Sequence, residues 1–127
     1  MPGECRWDDE NEKTILLHIY SGDVVLQDYF TMTDRSKEMM ESVSHTVHTI
    51  MDRTAAISQP AGISAALRYA NKNMSYNQGL RLIVGGNRFT RLMVDIGHMV
   101  APNLVSEVYF ADSLQEARAL IAEKGVT

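Results

Sequence analysis

A glycine turn beside two arginines is the first stretch of the sequence that suggests chemistry. The run RLIVGGNRFTRLMVDIGHM predicts a buried strand, a helix that begins at Arg88 and, between them, a turn of Gly85, Gly86 and Asn87. The N–H groups at a helix start carry partial positive charge, and glycine lets the backbone approach a ligand closely. Arg88 and Arg91 add guanidinium groups that bind anions through charge-assisted hydrogen bonds. The turn is therefore a candidate anion site, and the alternative is a tight connection beside a solvated helix face.

Asp52 and Arg53 follow another predicted strand and are the second candidate ligand residues. Ligands of open α/β sheets bind at the carboxyl ends of the strands, so we expect this pair to face the glycine turn across a crevice. The Asp52 carboxylate repels an anion unless an arginine neutralises it, and we therefore expect weak anion binding at residues 85–91. The alternative is that Asp52 caps backbone N–H groups or pairs with Arg53 or Arg88.

The sequence offers little for metal binding or catalysis. His45 and His48 are three residues apart, which on a strand places them on opposite faces, while His18 and His98 lie in other elements. No cysteine or nearby carboxylate completes a metal set, and no G-x-S-x-G motif is present. Cys5 has no obvious base beside it. We therefore expect neither a metal site nor a cofactor, and we expect that the protein is not an enzyme.

Methionine is frequent in the sequence, with eight residues in 127. Methionine is flexible and fills irregular cores or adaptable binding surfaces. Met39 and Met40, together with Met93 and Met99, are candidates to border an apolar groove for a lipid-like molecule or a partner helix. The alternative is that they belong to an ordinary core.

Composition indicates a single globular domain. Hydrophobic residues make up 45% and charged residues 22% of the 127 residues, and no apolar run is long enough to span a membrane. Residues 1–12 are polar and acidic and do not resemble a signal peptide. A single cysteine cannot form an internal disulfide, which favours a cytoplasmic location.

Charge is unevenly distributed along the chain. Residues 1–52 contain eleven acidic and four basic side chains, a net charge of −7, and residues 53–127 contain five and eight, a net charge of +3. This asymmetry fits self-association or an anion site, whereas nucleic-acid binding needs a denser basic face. Ordinary solvated faces are the alternative.

Strands and helices alternate in the predicted order of elements. The first segment, CRWDD, predicts a short strand, and SGD predicts the end of the next strand. The run RTAAISQPAG predicts a loop, after which Ser58 or Gln59 caps a helix. The remaining strands are predicted at residues 14–20, 45–52, 80–84 and 106–111. Helices are predicted at about residues 25–44, from residue 60 to about 74, at 88–100 and from residue 114 to the glycine at 125. The order predicts an α/β fold with a mostly parallel sheet of four to five strands and four main helices.

The whole pattern over residues 12–124 resembles the SpoIIAA-like branch of the STAS domains, the fold of anti-sigma-factor antagonists. The resemblance is carried by a strand closing with SGD, a strand ending in IMD, a PAGISAALRYA helix, the run LRLIVGGNRFTRLM, then VYFADS and a closing LQEARALI helix. It implies a non-catalytic regulatory or scaffold domain that binds a protein partner or a second copy of itself. A small anionic or amphipathic ligand at the C-terminal edge of the sheet is the alternative function.

The resemblance also implies a regulatory serine, which this chain lacks. In the sigma-factor antagonists a serine at the start of the second helix is phosphorylated in a run like Asp-Ser-Ser-Gly. The matching run here is Gln59-Pro60-Ala61-Gly62, in which Ala61 replaces the serine and has no hydroxyl to accept phosphate. The fold is therefore expected to carry over and the phosphoswitch is not.

Overall fold

One five-stranded sheet forms the centre of the molecule. The computed structural model describes residues 3–58, 60–85 and 88–125, with the side chains of residues 88 and 89 outside the description. The strands are β1 (Gly3–Trp7), β2 (Ile15–Asp23), β3 (Val47–Ser58), β4 (Gln78–Val84) and β5 (Val108–Ala111). They lie in the order β1-β2-β3-β4-β5; β1 is antiparallel to β2, and the other pairs are parallel. The predicted α/β fold with a mostly parallel sheet is confirmed.

Five helices cover the two faces of the sheet. They are α1 (Leu26–Met40), α2 (Ile63–Lys72), α3 (Arg88–Val100), the short α4 (Pro102–Val105) and α5 (Leu114–Lys124). Because β2 to β5 are adjacent and parallel in chain order, right-handed crossovers bring α1 to α4 to the same face. Helix α5 follows the last strand and covers the opposite face. In the described part of the chain, no helix is long and apolar enough to cross a membrane.

Alternation along each strand divides the core into two layers. Leu16 and Tyr20 of β2 pack with α1 to α4, whereas Leu17 between them packs toward α5. This is the period of two that a pleated strand imposes, with apolar side chains buried on both faces of a parallel sheet. Leu82 of β4 belongs to the α5 layer, so its neighbours Arg81 and Ile83 face the layer of α1 to α4.

Two strands continue past their predicted ends, and both corrections have one cause. SGD does not break β2, and RTAAIS is not a loop, because β2 and β3 continue to pair in parallel until Asp23 lies opposite Ser58. Gly22 has φ 64°, a conformation that glycine adopts without strain, and the Ser58 hydroxyl donates to the Asp23 carboxylate at 2.8 Å. Turn-forming residues were thus overridden by pairing with a distant strand.

Helix ends also differ from the predictions. Helix α1 ends at Met40 rather than near residue 44, and buried Asn77 donates its amide to the carbonyls of Met40 and His45 at 2.8 and 2.9 Å. Helix α2 begins at Ile63, and its N-cap is Gly62 rather than the predicted Ser58. Gln59, the other predicted cap, lies outside the described residues. The predicted bounds of α3, residues 88–100, are confirmed, and a short helix that was not predicted follows at Pro102.

The acidic N-terminal segment contributes an edge strand. Residues 3–7 form β1, and the side chain of Cys5 on it is buried. Burial raises the pKa of the Cys5 thiol to about 11, which keeps it protonated and unreactive. Arg118 of α5 binds the Asp8 carboxylate through two hydrogen bonds of 2.8 and 2.7 Å, and this contact ties the segment after β1 to the last helix.

Candidate functional site

Asp52 and Arg53 do not lie at the carboxyl end of β3, as the predicted crevice required, because this strand continues to Ser58. Instead, a tight backbone contact joins this part of β3 to the turn after β4. Asp52 accepts hydrogen bonds from the N–H and the hydroxyl of Thr54 at 3.0 and 2.6 Å. Gly85 has φ 75°, and a Cβ atom there would lie 2.7 Å from the backbone nitrogen of Thr54. Gly85 therefore lets the turn after β4 approach Thr54 of β3 closely. This is a structural role for the glycine, and it needs no ligand.

Arg53 points away from Asp52, to the opposite face of the sheet. Its side chain is 3% exposed, donates to the Tyr29 hydroxyl at 2.7 Å, and lies 5.3 and 5.8 Å from the ring centres of Tyr20 and Tyr29. Consecutive strand residues face opposite sides, so Asp52 and Arg53 do not form a joint site. The second guanidinium nitrogen of Arg53, Nη2, has no acceptor among the residues that the structure describes.

The rest of the predicted anion site is only partly described. Gly86 and Asn87 lie outside the described residues, and so does the side chain of Arg88, whose backbone begins α3. The guanidinium carbon of Arg91 lies 4.4 Å from the centre of the Phe110 ring, a cation–π contact that covers the edge strand β5. Anion binding at residues 85–91 stays a prediction.

A cavity lies elsewhere, between the sheet and the layer of α1 to α4. It has two lobes of about 90 and 60 Å³. The larger lobe lies along α1 and α2, and the smaller lobe extends toward α3 and β5. Six residues line both lobes: His18, Met51, Leu67, Arg81, Met93 and Leu104.

Arg81 is the cation of this cavity. It projects from β4, a strand with neighbours on both sides, and its Nε atom is buried with no hydrogen-bond acceptor in the described part of the chain. Burial lowers the pKa of Arg81 to about 10, so the guanidinium is still charged at neutral pH. No Asp or Glu is among the described residues that line either lobe. The second lysine or arginine of the lining, Lys37, has its ammonium group 3.1 Å from the Glu41 carboxylate.

His18 and Ser36 form a polar pair on the cavity wall. Nε2 of His18 lies 3.0 Å from the Ser36 hydroxyl oxygen, and both side chains are buried. Burial lowers the pKa of His18 to about 3, and the positive charge of Arg81 lowers it further in the same direction. At neutral pH His18 is therefore uncharged, and the pair presents hydroxyl and imidazole dipoles rather than a second cation.

Methionine dominates the apolar part of the lining. Five of the eight methionines line the larger lobe: Met32, Met40, Met51, Met74 and Met93. The structure therefore brings together only some of the methionines of the predicted groove. Met40 and Met93 line the cavity, whereas Met39 does not and Met99 is 83% exposed. Unbranched thioether side chains repack readily, so the wall suits an adaptable binding site.

Two polar residues that interrupt apolar strands indicate this site in the sequence. Arg81 interrupts the apolar run LRLIV, and His18 interrupts ILLHIY, in strands that are buried on both faces. Charged or ionisable residues are rarely buried in such strands without a partner or a function. Ser36, in contrast, lies on a helix of mixed composition, and only the fold brings it to His18.

No family model matches the chain, and no curated protein does. Among solved structures, the chain is similar to an uncharacterised DUF3478-family protein from Shewanella loihica PV-4 that has a SpoIIAA-like fold. The TM-score is 0.66 at 12% sequence identity, over 93% of this chain and 92% of that one. The chain has a SpoIIAA-like fold.

Ala61 is the residue that the sequence resemblance matches to the regulatory serine. Ala61 is exposed and directly precedes Gly62, the N-cap of α2. A hydroxyl at this position would be accessible to a kinase, but alanine provides none. We therefore still expect no phosphorylation switch at this residue. In the described residues no group of three potential metal ligands comes together either.

Proposed function

We propose that this SpoIIAA-like domain binds a small amphipathic anion in the cavity between its sheet and the layer of α1 to α4. The observation that carries the proposal is Arg81, whose charged guanidinium reaches the cavity with Nε unbonded to any described residue. Ligand sites are typically concave and mostly apolar, with a few polar groups that fix orientation. The methionine-rich wall and the Arg81–His18–Ser36 group provide those two parts.

A purely structural role explains Arg81 poorly. A buried charge without a partner costs stability, and the cost is offset only when hydrogen bonds or an opposite charge compensate it. The residues described around Arg81 supply no carboxylate, and His18 on the same wall is uncharged. An anionic ligand would supply the missing charge and would accept hydrogen bonds from the guanidinium.

Binding without catalysis is the activity that we propose. The His18–Ser36 pair has the spacing of a base and a nucleophile. However, a general base works best when its pKa lies near the operating pH, and the pKa of His18 is about 3. The pair is therefore suited to donate and accept hydrogen bonds with a ligand, not to remove the proton of Ser36.

Methyl NMR of methionine tests the proposal with an internal control. With ¹³C-methyl methionine, hexanoate is expected to shift the signals of Met51 and Met93, which line both lobes. The signals of Met39 and of exposed Met99 are expected to stay in place because neither residue lines the cavity. If hexanoate, hexanol and hexylammonium all leave Met51 and Met93 unshifted at millimolar concentration, the proposed function is wrong.

A second candidate function, binding of a protein partner or a second copy, is favoured by the outer face of α3. Leu92 and Met99 are two helical turns apart on this face and are 53% and 83% exposed. Exposed apolar side chains at this spacing are typical of helix faces that pack against a partner. The uneven charge along the chain supports a homodimer, and the single free cysteine supports a cytoplasmic setting.

A further inference from the structure

The chemistry of the cavity narrows the class of the ligand, provided that the proposed function holds. The guanidinium of Arg81 is planar, and its Nε–H and the adjacent Nη–H lie side by side on one edge. Such an edge matches the two oxygens of a carboxylate and donates two parallel hydrogen bonds. Nε of Arg81 is itself shielded by the surrounding protein, so a carboxylate in the cavity would use the terminal N–H groups of the same guanidinium, which form a second edge of this kind.

Ser36 supplies a third donor on the same wall. A neutral imidazole has one N–H, and when it lies on Nε2 of His18 it donates to the Ser36 oxygen 3.0 Å away. The hydroxyl proton of Ser36 is then free to donate into the cavity, where both residues and Arg81 are part of the lining. His18 is in this arrangement a positioning residue, which orients the hydroxyl without touching the ligand.

Charge and size favour a monocarboxylate over a phosphate. Among the described residues that line the cavity, Lys37 is next to Glu41, so Arg81 is the cation that remains to balance a ligand, and one cation balances one negative charge. Two lobes of about 90 and 60 Å³ are comparable with an engineered cavity of about 150 Å³ that accommodates benzene. The space therefore suits a molecule of about six to eight non-hydrogen atoms.

We infer that the ligand is a short-chain monocarboxylate, held by the terminal N–H groups of Arg81 and by the hydroxyl of Ser36, with its apolar tail among Met51, Met93 and the other cavity methionines. Arg81 lines both lobes, so the carboxylate lies where the lobes meet and the tail extends into the larger one. This assignment differs from the predicted anion site at residues 85–91, which lies at the carboxyl end of β4.

Isothermal titration with three ligands that share one tail tests the head group. Wild-type protein is expected to bind hexanoate roughly ten-fold or more tightly than 1-hexanol, because charged hydrogen bonds add to the same apolar burial. Hexylammonium is expected to bind more weakly than hexanol, because Arg81 repels it. The Arg81→Met variant is expected to bind hexanoate and hexanol with equal affinity, and Ser36→Ala to weaken hexanoate about three-fold or more while leaving hexanol unchanged.

Two further variants keep the result interpretable. Arg68→Met removes an exposed cation of α2 and is expected to leave the hexanoate preference intact. Arg81→Lys keeps the charge without the planar edge and is expected to retain only part of the preference, which separates loss of recognition from loss of folding. Equal binding of hexanoate and hexanol to the wild type, or tighter binding of hexyl phosphate, would overturn the carboxylate assignment while the proposed cavity binding stands. Absence of binding by every compound would overturn both.

Discussion

Two arginines on the same face of the sheet, one buried and one half-buried, show how the surroundings of a charge decide its role. Arg53 donates to Tyr29 and is packed against two tyrosine rings, whereas Arg81 faces a cavity with its Nε free of described acceptors. The same residue type is therefore part of the packing at one position and a candidate ligand contact at the other.

Replacement of Arg53 by methionine is expected to destabilise the fold. The change removes the hydrogen bond to Tyr29 and the cation–π contacts with Tyr20 and Tyr29, for a loss of about 1–3 kcal/mol in the free energy of unfolding. Urea unfolding measured by circular dichroism tests this expectation. A variant as stable as the wild type would show that Arg53 contributes nothing to the packing.

His18 gives the protein an acid-sensitive contribution to stability. Its pKa is lowered from 6.5 in the unfolded chain to about 3 in the fold, mainly by burial. Between these values the unfolded state binds a proton that the folded state does not, so the stability is fully present above pH 6.5 and is lost as the pH falls toward 3. The slope contributed by one such proton is at most about 1.4 kcal/mol per pH unit.

The variant His18→Gln isolates this contribution, because glutamine keeps a group that can hydrogen-bond Ser36 but does not titrate. Urea unfolding at pH 7 and pH 5 is expected to show a smaller loss of stability for the variant than for the wild type. His48, whose pKa burial also lowers, is present in both proteins and cancels in the comparison. Equal losses in the two proteins would contradict a buried, neutral His18.

At the scale of elements, local sequence predicted which strands and helices exist better than where they end. Helix α3 was predicted with its bounds because its apolar spacing, the turn before it and Pro102 after it agree. The ends of β2 and β3 were wrong because Gly22 and the run after Arg53 have turn-like composition. Their pairing depends on two segments that meet only in the fold, where Gly22 lies opposite Ala56. Long-range pairing of this kind leaves no local signal.

Gly85 and Gly22 form a matched pair for testing the close contact behind β4. Both have positive φ, 75° and 64°, but a Cβ at Gly85 would lie 2.7 Å from the Thr54 nitrogen, whereas a Cβ at Gly22 would have no heavy atom within 4 Å. Gly22→Ala is expected to cost about 1 kcal/mol from backbone strain. Gly85→Ala is expected to cost clearly more in the same denaturation assay, and equal costs would contradict a steric role for Thr54.

At the scale of the whole molecule, the sequence predicted the fold but not the cavity. The prediction placed the ligand at the carboxyl ends of the strands, from residues that are neighbours in sequence. The cavity depends on the space that α1 to α4 leave above the sheet, and its polar residues come from β2, α1 and β4. Such space is set by tertiary packing, which strand and helix patterns do not encode.

Self-association through α3 is a prediction at this scale. Light scattering at high micromolar concentration is expected to give about twice the 14.2 kDa of one chain. The double variant Leu92→Ser, Met99→Ser is expected to give the mass of a monomer, because it removes exposed apolar surface without touching the buried core. A wild-type protein that stays monomeric, or a double variant that stays dimeric, would contradict this interface.

The most direct test of the account is the free energy of unfolding of wild-type protein and Arg81→Met, each measured without and with hexanoate. If Arg81 is kept for a ligand, methionine removes a half-buried guanidinium whose Nε has no described acceptor, and the ligand-free protein becomes more stable by about 1 kcal/mol. Hexanoate at about one hundred times its dissociation constant then adds about 2.7 kcal/mol to the wild type, and it adds clearly less at the same concentration to the variant. A variant that is less stable than the wild type without ligand, together with a wild type that hexanoate does not stabilise, would show that Arg81 serves the fold and would contradict the account.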